Sequence, residues 1–97
     1  MKWRVIIRPR AEADLQDAWQ WYESQRAGLG NEWLDEVRRA MRSLREHPEQ
    51  RPFYYGNFRR LLLRRFPYKL FYVTESDRVI VFRILHVKQD HRRWLEG

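Results

Sequence analysis

The chain has 97 residues, room for one domain and not for two. With 43% hydrophobic and 15% aromatic residues it can build one core, so its 34% charged residues do not imply disorder. The absence of cysteine excludes disulfides, zinc–thiolate sites and thiol nucleophiles together, and is compatible with a reducing compartment. The formal net charge of +7 is lopsided: residues 1–50 hold nine Lys/Arg and nine Asp/Glu, whereas residues 51–97 hold eleven Lys/Arg against Glu75, Asp77, Asp90 and Glu96. Seventeen of the 20 basic residues are arginine, the side chain best suited to bidentate contact with phosphate or carboxylate. That asymmetry points to a polyanionic partner, nucleic acid or an acidic protein segment.

The opening residues 1–8 place three aliphatics between charges, too few for a signal-peptide core, and no run approaches the roughly 20 apolar residues of a membrane span. The expectation is a single domain over residues 1–97, cytoplasmic and without a membrane contact. Trp3, Val5 and Ile7 alternate with charged residues, the period of a half-buried strand. Pro9 ends that strand and suits the first turn of a helix, and Glu12 and Asp14 follow at its positive end. Ala11, Leu15, Ala18, Trp19 and Tyr22 recur at helical spacing, predicting a helix over 10–25, with Trp21 about 120° off the inner stripe. Gly28-Leu29-Gly30 breaks it, and a second helix follows with Trp33, Leu34, Val37, Met41 and Leu44 inward. His47-Pro48 ends that helix, because the residue before proline avoids the α region.

Residues 48–57 read as a loop rich in Pro, Gly and aromatics. Three strands are predicted after it, Arg59–Phe66, Tyr68–Thr74 and Arg78–Val87, with a tight turn at Thr74–Asp77 and a short tail, Lys88–Gly97. The order is β-α-α-β-β-β, and the predicted architecture is α+β, a helical hairpin packed on one face of a mostly antiparallel four-stranded sheet.

Gly28-x-Gly30 lacks a third glycine and lies between helices, which excludes a dinucleotide loop, and no Gly-Lys-Ser/Thr phosphate loop exists. Ser24, Ser43 and Ser76 have no nucleophile-elbow context, and His47, His86 and His91 lack the spacing of a metal site. No cofactor and no metal are expected. A metal-free reaction on RNA needs a base, an acid and cations. Arg60, Arg64, Arg65, Lys69, Arg83, Lys88, Arg92 and Arg93 supply cations, with His86, His91 and Tyr72 as acid–base candidates. Strand alternation sets Arg60 and Arg64 beside Leu62 and Phe66, and Arg59 and Arg65 beside Leu61 and Leu63. Arg83, beside Val81 and Leu85, reads either as a binding residue or as an ion pair with a helix carboxylate. Phe53, Tyr54 and Tyr55 cap a core or meet a partner, and Trp94 closes a basic–aromatic tail.

Several stretches carry a resemblance over nearly the whole chain. They are Pro9-Arg10-Ala11-Glu12-Ala13-Asp14-Leu15, Gly28-Leu29-Gly30, the run Arg59–Tyr72 with its Phe66-Pro67-Tyr68-Lys69, and Val79–His86 with its Leu85-His86. Together with the element order, they resemble the RelE/ParE superfamily of small bacterial toxins from type II toxin–antitoxin pairs, and more specifically its ParE-like branch. The resemblance implies a toxin that poisons DNA gyrase and is neutralised in a hetero-oligomer by a cognate antitoxin, ParD-like or other. For RelE-like members it implies ribosome-dependent cleavage of mRNA instead, with Lys69 matching a basic strand position and Arg60 another. The late arginine of that machinery falls near Gln89, its late tyrosine near Leu95 and a second strand lysine near Leu62, so the ParE-like branch fits better. The expected contact residues for antitoxin or target are Arg60, Arg64, Lys69, Arg83, Lys88, Arg92, Arg93 and Trp94. A basic nucleic-acid-binding module without toxicity is the third reading of the same charge.

Overall fold

In the computed structural model, residues 3–89 together with Arg93 and Leu95 are described. The first strand, β1 (Arg4–Ile7), lies beside the last. Two helices follow, α1 (Pro9–Gln25) and α2 (Leu29–Leu44), then a 3-10 turn at Pro48–Gln50. The remaining strands are β2 (Arg59–Leu62), β3 (Tyr68–Glu75) and β4 (Arg78–His86). The four strands form one sheet in the order β1-β4-β3-β2, with β1 parallel to β4 and the other pairs antiparallel. A mostly antiparallel α+β domain with a helical hairpin over one sheet face is therefore the observed fold. Among the described residues no helix is long and apolar enough to cross a membrane.

Pro9 at the first position of α1 needs no hydrogen-bond acceptor for the missing N–H, and the helix stops at Arg26 as the chain turns extended. The hairpin between the helices is held by Glu23, whose carboxylate accepts the N–H groups of Gly28 and Gly30 at 3.0–3.2 Å. These are donors at the start of α2, where they have no partner inside the helix and where a negative charge is favoured. Gly28 has φ 90°, and a Cβ on Gly30 would sit 2.7 Å from Trp19 Nε1, so both glycines of the linker have separate physical reasons.

Beneath the helices, Trp33, Val37 and Leu44 of α2 meet Leu61, Leu70, Tyr72, Val79 and Val81 of the sheet, all buried. Trp33 packs edge-on against Phe66 at 5.5 Å and donates its indole N–H to the Leu15 carbonyl, which fastens the two helices to each other and to the sheet. The other sheet face carries a smaller core, Phe71, Leu85 and Leu95, flanked by Tyr54, Tyr55 and Phe58 from the long loop.

Two features depart from simple strand alternation. β2 ends at Leu62 rather than continuing to Phe66, because Glu36 on α2 accepts the backbone N–H groups of Arg64 (2.8 Å) and Arg65 (3.4 Å) and pulls the chain out of the sheet. Phe66 then turns into the helix-side core while Leu62 stays exposed, so Arg60 and Arg64 do not share a strand face with both of them. In β4 the register slips opposite Phe71/Tyr72, where Tyr72 pairs with Val81 but Phe71 pairs with Arg83. The extra residue reverses the alternation: Val81 and Ile84 both join the helix-side core and Leu85 goes to the opposite face. Arg83 is therefore not grouped with Val81 and Leu85 on one face.

Gly30→Ala should destabilise the chain by about 1–3 kcal/mol, because Trp19 and Glu23 must move together to admit the methyl group. Gly28→Ala should strain the backbone without a clash, since nothing lies within 4 Å of its added Cβ. Urea unfolding of the two variants against the parent chain checks both.

Candidate functional site

The face of the sheet away from the helices carries the uncompensated charge. Arg60 on β2 stands opposite Phe71, and Lys69 on β3 stands opposite Leu62, so Arg60 and Lys69 are diagonal neighbours on one surface. The Arg60 guanidinium lies 4.0 Å from the centre of the Tyr54 ring, which orients it without neutralising it. Lys69 is half-buried, and burial first and the nearby Arg60 charge second push its ammonium below the ordinary lysine range. Among the described residues no carboxylate pairs with either side chain. Leu62, 59% exposed, adds an apolar contact beside the two cations.

Around the sheet edge the surface continues as a groove of about 160 Å³ between α2 and β2. Its floor is Leu61, Leu63 and Ala40, and Arg39, Arg51 and Arg64 stand on its rim. Glu36 is committed there to the Arg64 and Arg65 backbone and to an ion pair with Arg39, and Glu32 is paired with Arg65 and Arg26. Those two arginines hold the Glu32 carboxyl below its usual range. Arg39 escapes a reading of the second half's charge because it lies on α2 in the first half, and Arg51, though counted there, sits in a loop with no strand alternation to place it. Only the sheet-to-helix packing sets them beside Arg64.

The remaining expected contact residues separate. Arg83 is spent internally: its Nε and Nη2 donate to the Asp14 carboxylate at 2.7 and 2.8 Å, and the Ile84 N–H donates to the same carboxylate at 3.0 Å. The ion pair with a helix carboxylate is thus realised, and Arg83, 9% exposed, presents little to a partner. Lys88 is exposed just after β4, with its N–H donated to His86 Nδ1. Arg93 is exposed, whereas Arg92 and Trp94 lie outside the described residues, as do Asp90 and His91. Leu95 is buried against Phe71 and Leu85, which gives the tail an apolar anchor.

As acid–base candidates, Tyr72 and His86 are poorly placed to act beside Lys69. Tyr72 is fully buried on the helix side, its hydroxyl donates to the Pro48 carbonyl at 2.6 Å, and burial raises it above the ordinary phenol range. The His86 ring packs edge-on against Tyr68 at 5.2 Å and its Nδ1 accepts the Lys88 N–H. Arg59 is also occupied, with its guanidinium donating to the carbonyls of Glu49 and Arg51 and lying over the Phe53 ring. What stands together is a surface of cations and apolar side chains, made of Arg60, Lys69, Leu62 and the arginine-rimmed groove.

This architecture is shared by a solved structure described as the chromosomal ParDE TA system from P. aeruginosa, with a TM-score of 0.74 at 19% identity over 87% of this chain and 95% of that one. At that identity the likeness shows a shared fold, a helical hairpin over a mostly antiparallel sheet. Residues 5–91 match the family described as ParE toxin of type II toxin-antitoxin system, parDE, and the chain belongs to that family. No curated protein matches the sequence.

Asp14→Ala removes both bonds to the Arg83 guanidinium and the acceptor of the Ile84 N–H, and should cost about 3–5 kcal/mol of stability. Asp14→Asn keeps an acceptor and should cost less. Thermal unfolding of both variants measures the difference.

Proposed function

We propose that this chain is the toxin of a ParDE-type pair, that it inhibits DNA gyrase without cleaving RNA, and that a cognate antitoxin holds it inactive in a hetero-oligomer. Membership of the ParE family supports the toxin role. One observation carries the choice of activity. At the positions where the resemblance would require a late arginine and a late tyrosine for RNA cleavage stand Gln89 and Leu95. The Gln89 side chain accepts the His86 N–H at 2.7 Å, and Leu95 is buried. The ribosome-dependent endoribonuclease keeps one favouring observation, the Arg60–Lys69 cation pair with its depressed lysine.

Supercoiling of relaxed plasmid by purified gyrase separates the two. Micromolar chain should block supercoiling, and absence of both inhibition and a cleavage complex counts against the gyrase reading. Cleavage of mRNA at the ribosomal A site, abolished by Lys69→Ala, would install the nuclease instead.

The antitoxin contact follows from the charge. Arg60, Arg64 and the groove rim favour a segment with Asp/Glu for the cations and leucine-like anchors for Leu61, Leu62 and Leu63. The apolar anchors supply affinity, and the charge pairs set the on-rate and the register. Arg60→Ala with Arg64→Ala should slow association about tenfold at low salt and flatten its salt dependence. Stopped-flow association across ionic strength reads this out, and an unchanged rate would place the contact elsewhere.

A further inference from the structure

A second surface of opposite character lies on α1. Trp21 is 59% exposed, a large apolar side chain left in solvent. It shares a cavity of about 180 Å³ with Asp17, Tyr68, Ile84 and Gln89, at the flank where α1 meets the ends of β3 and β4. Asp17 and Trp21 are four residues apart on one helix and so stand on the same face. Asp14 also lines the cavity, but its carboxylate is already neutralised by Arg83. Asp17 has no such partner among the described residues. Its neighbours one turn away on the helix are Ala13, Asp14, Gln20 and Trp21, none of them a cation. In a chain of net charge +7, this is a carboxylate without a cation among the described residues, beside an indole.

The geometry points to a recognition notch for one arginine side chain of the antitoxin: the guanidinium lies against Trp21 and is paired with Asp17, while the Tyr68 edge and Gln89 bound the notch. A planar cation is favoured by both walls at once, the aromatic through its quadrupole and the carboxylate through bidentate hydrogen bonds. The inference rests on the antitoxin reading above and extends it with a contact of opposite sign. The antitoxin is the occupant because the two surfaces adjoin: Leu63, on the groove floor, donates its N–H at 3.0 Å to the carbonyl of Tyr68, which walls the notch. A segment with acids over the groove and an arginine a few residues away would satisfy both. The opposed signs fix its direction, since reversal sets its arginine among Arg39, Arg51 and Arg64 and its acids on Asp17.

Two measurements test this. In the first, N-acetyl-arginine amide is titrated into the full chain while the Trp21 indole N–H is followed by NMR, with the uncharged isostere N-acetyl-citrulline amide as control. A saturable shift is expected for arginine, at least about fivefold tighter than citrulline, and Asp17→Asn should erase that preference. In the second, dissociation of the chain from its antitoxin is timed for Asp17→Asn, Trp21→Ala and the double variant, each first checked for unchanged melting temperature. Each single variant should dissociate about tenfold faster, and the double variant little faster than either, because the two residues hold one group. Equal binding of arginine and citrulline, a preference that survives Asp17→Asn, or unchanged dissociation in Asp17→Asn overturns the proposal. The amide titration needs neither gyrase nor antitoxin, so its failure is separable from failure of the toxin reading.

Discussion

The Asp14 carboxylate is the point on which the rest of the molecule turns. It takes two bonds from the Arg83 guanidinium and one from the Ile84 backbone, bringing together groups 69 and 70 residues apart in the chain. Closing so long a loop is entropically expensive, and burying two charges costs further, so the contact persists only because its geometry is bidentate and its remaining acceptor capacity is used. Its consequence is positional. By holding Arg83 and Ile84 toward α1 just after the register slip, it stabilises the reversed alternation of β4. Leu85 is thereby delivered to the far face, where with Phe71 and Leu95 it makes the second core.

That second core explains why the candidate surface is where it is. A sheet covered by helices on one side has its other side open to water. Here the open side is half-closed by Tyr54, Tyr55 and Phe58 from the loop and by Leu95 from the tail. Along the β2 edge the strip of Arg60, Lys69 and Leu62 stays uncovered. An exposed edge strand is a hazard unless charges or a partner cover it, and the arginines on and beside β2 serve the first role. Glu36 sharpens the same edge: by capturing the Arg64 and Arg65 N–H groups it cuts β2 short and opens the groove between strand and helix.

Much of the architecture was legible in the residues. Periods of two and of 3.6 located every strand and both helices, because side chains facing one core must repeat with the backbone that carries them. Pro9 and Gly28 marked boundaries for equally local reasons, a preset φ and a left-handed φ, whereas α2 stops at Leu44, ahead of the end expected at His47-Pro48. The lopsided charge and the basic strands identified Arg60, Arg64 and Lys69 as surface cations, since nothing nearby in sequence could neutralise them. Trp21 could be placed off the inner stripe by its helical angle alone.

The tertiary structure decided what depends on contacts distant in sequence. Neither the parallel pairing of β1 with β4 nor the bulge opposite Phe71 leaves a periodic trace, because each is settled by how elements far apart in the chain fit one another. The same holds for charge. Asp14 and Glu36 look like ordinary helix-surface acids, yet one consumes Arg83 and the other reshapes the β2 edge. Asp17, three residues from Asp14, has no cation folded against it among the described residues. Local sequence determined which side chains the chain owns and which backbone carries them. Which charges remain available to a partner was decided only when the sheet and the helices closed together, because neutralisation depends on distance in space.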